Sequence, residues 1–254
     1  MRNPSRRNRN IGTAKQGHGQ DNELTIPSSY MVLKWFPERL TKYEKIEKTI
    51  NGHDFLFVVE QTRGKSRHSC SIEDISTIIE QIPKEDYGKL KFIVLRQPKR
   101  KEETLSPAWG RLIYSYEFEK VKAPAIIIEA IDFTRKLTRP NKLSIDSQKE
   151  LERLIEDGHE LINDGRNYVA AYKINNARNT QLYRTLPHEF GHYVQYLDVV
   201  ERPGTKGESY EVWEERYDNY FKIPGQEHEK FAHKYADALK EKLTREGIIP
   251  FEPK

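Results

Sequence analysis

His188-Glu189-Phe190-Gly191-His192 sets two histidines four residues apart, with a glutamate directly after the first. On an α-helix, positions i and i+4 share a face about one turn apart. Two imidazoles at that spacing can bind one tetrahedral zinc ion, which leaves the Glu189 carboxylate beside the metal. The flanking pattern is helical: Leu182, Leu186, Phe190, Tyr193, Val194 and Leu197 recur at the right spacing, and Arg202-Pro203-Gly204 stops the element. Pro187 fits easily only in a first turn, which puts the N-cap near Thr185. A helix starting earlier, near Thr180, would lose one backbone hydrogen bond at Pro187 and bend there. An interior Gly191 costs roughly 1 kcal/mol against alanine, so close approach of a neighbouring backbone is its expected compensation.

A zinc site of this kind needs a third protein ligand, and the candidates are Asp198, Glu227, His228 and Glu229. Asp198 stands six residues after His192, where HExxHxxGxxH and HExxHxxGxxD proteins carry theirs. Those proteins have a glycine that lets the chain turn; this chain has Gln195 there. Glu227, His228 and Glu229 open a second helical pattern running through Asp237. On it Glu229, Ala232, His233 and Ala236 share a face, and the small alanines permit close packing against Gly191. Glu229 is therefore preferred, with Asp198 second.

With these residues assembled, the chain resembles the gluzincin branch of the zincin metallopeptidases, in which HExxH on one helix is joined by a glutamate from a later one. Glu229-x-x-Ala232-x-x-Tyr235-Ala236 is similar to the ExxA[DN]xFA helix of ImmA/IrrE-type zincins. Arg184-Thr185-Leu186 ahead of His188-Glu189 is similar to their entry into the active-site helix. The resemblance covers roughly residues 180–240 and implies Zn2+ bound by His188, His192 and Glu229, with Glu189 as general base. It departs at His233, where the family has the Asp or Asn that orients a ligand histidine. His233 then either does that job or is itself a ligand.

The chemistry expected of such a site is peptide-bond hydrolysis. Three protein ligands leave a fourth position for a water whose pKa falls to about 7. Glu189 would deprotonate that water and pass the proton to the leaving amine. Tyr210, Tyr217 and Tyr220, in the loop expected between the two helices, are candidate donors to the developing oxyanion. The expected partner is a peptide or protein substrate. Two other classes stay open: a zincin-like binding or regulatory protein without turnover, and a nucleic-acid-associated protein with structural zinc.

At 254 residues, 36% hydrophobic and 32% charged, the chain is polar for its size but long enough to bury an ordinary core. Cys70 is the single cysteine, which excludes an internal disulfide framework and points to a reducing, cytoplasmic setting. No run reaches transmembrane length and the N-terminus has no apolar signal region, so no membrane partner is expected. Positive charge gathers at one end. Residues 1–20 hold Arg2, Arg6, Arg7, Arg9 and Lys15 without an acid, leaving 38 basic and 39 acidic residues, a net charge of −1, for the rest. Residues 1–25 read as a disordered basic tail. Contact with nucleic acid through it is open but not favoured, because no aromatic residue interleaves the charges.

From residue 26 to 254 a single α+β domain is expected, sheet-forming to about 175 and helical beyond. Tyr43–Ile50 and Phe55–Glu60 flank an Asn51-Gly52 hairpin turn. Ser71 and Asp74 form a capping box opening a helix to about Ile82. Lys91–Arg96 and Leu112–Glu119 read as strands, and Ala125–Phe133 as an interior strand. A helix over Ser147–Asp164 would bury Leu151, Leu154, Ile155 and Ile162 and close at Gly165. Tyr168–Ile174 is one more strand. By the resemblance, the fold is zincin-like, a mixed twisted sheet on an active-site helix with a second, Glu-bearing helix. Leu112–Glu119 would then be the edge beside that helix, with Gln97–Gly110 as a lip and Val199–Gly225 crossing or capping the cleft.

Overall fold

The computed structural model describes residues 38–105 and 107–254; the tail expected at 1–25 lies outside them. Strands β1 (Tyr43–Ile50) and β2 (His53–Glu60) are joined by Asn51-Gly52, both at positive φ (51° and 75°), as a tight hairpin turn requires. After the short β3 (Ser66–Arg67), Ser71 caps α1 (Ile72–Ile79). Its hydroxyl accepts from the Asp74 N–H at 2.9 Å while Asp74 accepts from the Ser71 N–H at 3.1 Å. The helix stops at Ile79, short of the expected Ile82. There follow β4 (Phe92–Arg96), α2 (Glu102–Leu105), β5 (Gly110–Phe118), β6 (Val121–Glu129), β7 (Ile131–Asp132) and β8 (Lys136–Pro140).

These strands form an α+β core around a mixed sheet of order β1-β2-β4-β6-β5. β4 lies at its centre, parallel to β2 and β6, while β1 and β5 run antiparallel at the two edges. Burial on both faces explains the unbroken apolar run of β4. The apolar stretch expected as one strand over Ala125–Phe133 is two. β6 begins earlier, the Ala130 N–H bonds back to the Arg96 carbonyl at 2.7 Å, and β7 leaves the sheet to pair with β3.

α3 (Ile145–Glu156) starts at Ser144, whose hydroxyl accepts from the Ser147 N–H at 3.2 Å. The helix expected to reach Asp164 ends at Glu156, because Gly158 takes φ 98° and turns the chain out. Leu151 and Leu154 are buried as expected, but Ile155 and Ile162 are 52% and 71% exposed. Ile162 belongs to β9 (Ile162–Asn163), which pairs with β10 (Asn167–Ala171) in a second sheet, β8-β10-β9.

From Ile174 to Glu201 the chain is one continuous helical rod: α4 (Ile174–Thr180), a π turn (Gln181–Thr185), α5 (Leu186–Tyr196) and a second π turn (Leu197–Glu201). The motif helix thus starts well before Thr185. The Leu186 N–H reaches back five residues to the Gln181 carbonyl, so the winding widens just ahead of Pro187, where its ring would crowd a regular turn. α6 (Tyr210–Lys222) and α7 (Gly225–Arg245) complete the chain. The rod and α1 bury Ile75, Ile78, Ile126, Leu186 and Phe190 against one sheet face; Val58, Phe92, Val94 and Ile127 fill the other. Each such side chain contributes about 1.5–3 kcal/mol by leaving water. Among the described residues no helix is long and apolar enough to cross a membrane.

Candidate metal centre

Gly191 decides where α7 sits. A Cβ built on it would lie 2.8 Å from the Cα and 2.9 Å from the carbonyl oxygen of Ala232, so only glycine lets the two helix backbones meet there. Ala232 and Ala236 are buried in this seam. One turn before Ala232, Glu229 projects over the face of α5 that carries both motif histidines.

His188 Nε2 and His192 Nε2 are 3.1 Å apart. The Glu229 carboxylate bridges them, with Oε2 3.3 Å from His188 Nε2 and Oε1 3.5 Å from His192 Nε2. Among the described residues, these three form the one group of convergent His, Cys, Asp or Glu donors suited to a metal. The spacing can be tested against zinc. Donor atoms about 2.0–2.1 Å from a tetrahedral ion stand about 3.3–3.4 Å from one another, which brackets the middle of the observed range. Two imidazoles and one carboxylate are also a donor set zinc accepts, so the residues present fit the ion.

Glu189 is 8% exposed and lines the same cavity as both histidines. Burial pushes its carboxyl pKa up, against the pull of His188 and His192 and a hydrogen bond from the Leu112 N–H. That bond ties the motif to β5, the edge strand. Glu229 is different: its side chain is 58% exposed, and the hydrogen bonds from His188 and His192 hold its carboxyl well below the usual range.

The competing ligands lie elsewhere or play other parts. Asp198 pairs with Arg202 and is absent from the cluster; with no glycine at Gln195 the chain simply continues as helix past it. Glu227 is exposed. His228 donates from Nδ1 to Gln195 Oε1 at 2.8 Å, which gives Gln195 a partner across the helix seam. His233 Nε2 is 4.0 Å from Glu229 Oε2, and its ring packs 4.4 Å from that of His188. Burial, then the charges of His188 and Arg153, pull its pKa down to about 4, so near neutral pH its Nε2 accepts from Arg153 at 3.4 Å. His233 makes no hydrogen bond to His188, whose buried Nδ1 has no partner among the described residues. It supports that imidazole by ring packing.

Tyr210, Tyr217 and Tyr220 lie on helix α6 rather than in a loop. Of the three, Tyr220 faces the centre. It is buried, its hydroxyl lies 2.8 Å from that of Tyr114 and 3.3 Å from the His192 carbonyl, and it lines a cavity of about 420 Å³ with Glu189, His192 and Glu229. Tyr210 is 65% exposed. Trp213 is half-buried against the core and donates to Glu201 at 3.3 Å, a packing anchor. Cys70 is buried, which pushes its thiol pKa up and leaves it inert.

Three residues near the centre escape a reading of the motif alone: Tyr114 on β5, Trp109 just before it, and Arg139 on β8. Only Tyr114 had a signal, its place in the alternating strand. Arg184, just ahead of the motif, is buried and anchors the rod to α3 through Glu150 at 2.7 Å and Asp157 at 2.9 Å. No family model, no curated protein and no solved structure matches the chain, so the case for function rests on its own residues.

Proposed function

We propose that the protein is a zinc-dependent peptidase of gluzincin type, with a zincin-like fold, acting on peptide or protein substrate. His188 Nε2, His192 Nε2 and a Glu229 oxygen would hold the ion, and Glu189 would be the general base. One observation carries this reading: the Glu229 carboxylate contacts both motif imidazoles while the buried Glu189 carboxyl stands beside them. A purely structural site has no use for that second carboxyl.

When bound, zinc supplies a Lewis acid for the scissile carbonyl and a water that ionises near neutral pH. The rest of the work falls to the chain. Glu189 accepts the proton of the attacking water on its carboxylate and returns it to the amine nitrogen as that leaves. The Leu112 N–H holds the carboxylate in place. β5 lies at the sheet edge directly beside this group, where an extended substrate backbone can run along it.

Glu189→Gln tests the reading. The variant should bind zinc as the parent does and cleave an unbiased peptide library at least 10²-fold more slowly. Equal cleavage by the variant would remove Glu189 from the mechanism; a parent that binds zinc and cleaves nothing would favour the binding-protein alternative.

A further inference from the structure

Beyond the centre, the cleft opens on the far side of Trp109 into a second cavity of about 460 Å³, a size that suits a small ligand or a few side chains. The two spaces share Trp109 and Arg139: both residues line this cavity and also the cavity of about 420 Å³ that holds His188, Glu189 and Glu229. Trp109 borders both, its ring held 5.7 Å from Tyr172 and 5.5 Å from His159. Tyr172 and Leu137 give the second cavity an apolar wall.

Its charges are mostly cancelled from within. Arg111 lies 3.2 Å from Glu129, which also binds Arg96 at 2.9 Å. Glu102 binds Arg96 at 2.7 Å, Arg135 lies 3.5 Å from Glu103, and Asp132 accepts from Thr134 at 2.6 Å. Of the lining cations, Lys136 and Arg139 form no ion pair among the described residues, and only Arg139 reaches both spaces. It is half-buried on β8, which pairs with β10, and no carboxylate among the described residues pairs with it. Burying part of a guanidinium without a counter-ion is unfavourable, and its planar fork matches a carboxylate in two-point contact.

We propose that Arg139 is a specificity-determining residue that binds a substrate carboxylate on the Trp109 side of the centre. This rests on the peptidase reading for the ligand being a peptide. The carboxylate is either an Asp or Glu side chain or the free C-terminus of the substrate.

Binding is measured on the full-length, zinc-loaded Glu189→Gln protein, so that ligand is not consumed. The probes are fluorescent N-acetylated peptide libraries carrying Glu or Gln at one position at a time, each made with an amidated and with a free C-terminus. One charge-assisted contact should give the carboxylate form about 10–100-fold tighter binding. A preference among amidated peptides identifies the side chain as its source; a preference only for the free C-terminus identifies the chain end. Adding Arg139→Gln should bring the ratio to about 1, while Arg139→Lys, which keeps the charge, should restore part of it. The Lys variant also guards against loss of folding. A preference that persists in Arg139→Gln, or none in its parent, overturns the inference. Cleavage by the native protein without carboxylate preference overturns it and leaves the peptidase reading standing. Carboxylate-selective binding without any cleavage does the reverse, and no binding of any peptide overturns both.

Discussion

The Cα of Gly191 faces the backbone of Ala232 so closely that an added methyl carbon would stand 2.8 Å from the Ala232 Cα. This contact, some way from any donor atom, sets how near α7 comes to α5. It therefore sets whether Glu229, one turn away, reaches the two imidazoles.

Gly191→Ala should consequently destabilise the protein, although alanine is the better helix former. Overpacking costs about 1–3 kcal/mol, against about 1 kcal/mol gained in helix propensity. Zinc affinity should fall with it, because α7 must move outward. Chemical denaturation and zinc titration check both. A variant more stable than its parent at unchanged affinity would contradict the role given to this seam.

Tyr220→Phe should leave fold and zinc content intact and lower kcat about 10²-fold, the usual loss when one oxyanion donor is removed. The expectation follows from its hydroxyl, paired with Tyr114 at 2.8 Å on the wall of the centre. Steady-state kinetics on a peptide identified from the library decide it. An unchanged kcat would make the Tyr114–Tyr220 pair a packing feature only.

Stability should show a definite pH dependence through Asp74, remote from the centre. Burial would raise its pKa, but two hydrogen bonds from Arg178, at 2.7 and 3.0 Å, and the N–H groups of Ser71 and Lys254 outweigh that and hold it below the usual range. A depressed folded-state pKa contributes stability above the unfolded value and loses it as pH falls through the folded one. Asp74→Asn leaves the buried Arg178 charge uncompensated and should cost about 3–5 kcal/mol at pH 7. The difference from the parent should shrink below about pH 4, as the parent loses its own pair. Urea titrations at several pH values test this; a constant difference would contradict it.

Much of the architecture was written in local signals that need no tertiary context. Asn51-Gly52 dictates a hairpin, Ser71 and Asp74 cap a helix, and the apolar run within Lys91–Arg96 reads as a strand. HExxH carries its own geometry, since helical winding alone brings His188 and His192 to one face. What stayed hidden is partly local and partly set by neighbours distant in the chain. The helix after Ser144 was expected to run too far because the apolar residues Ile155 and Ile162 continue its pattern, whereas Gly158 breaks it. The earlier start of the motif helix rests on a π turn before Pro187, which no residue pattern announces. Arg139 and Trp109 were not legible as site residues, because only the pairing of β8 with β10 and the seating of β5 bring them to the cleft. Glu229 falls between these cases: its helix was legible, and its distance to the imidazoles was not.

The central claim is that one zinc ion is held by His188, His192 and Glu229 together. Zinc content and affinity of the full-length protein, measured beside Glu229→Ala and Asp198→Ala, test it most directly. One zinc per chain is predicted, with Glu229→Ala weakening binding by more than the roughly 10–100-fold that loss of a supporting hydrogen bond costs a metal site, and Asp198→Ala binding as the parent does. Undiminished affinity in Glu229→Ala would contradict the account.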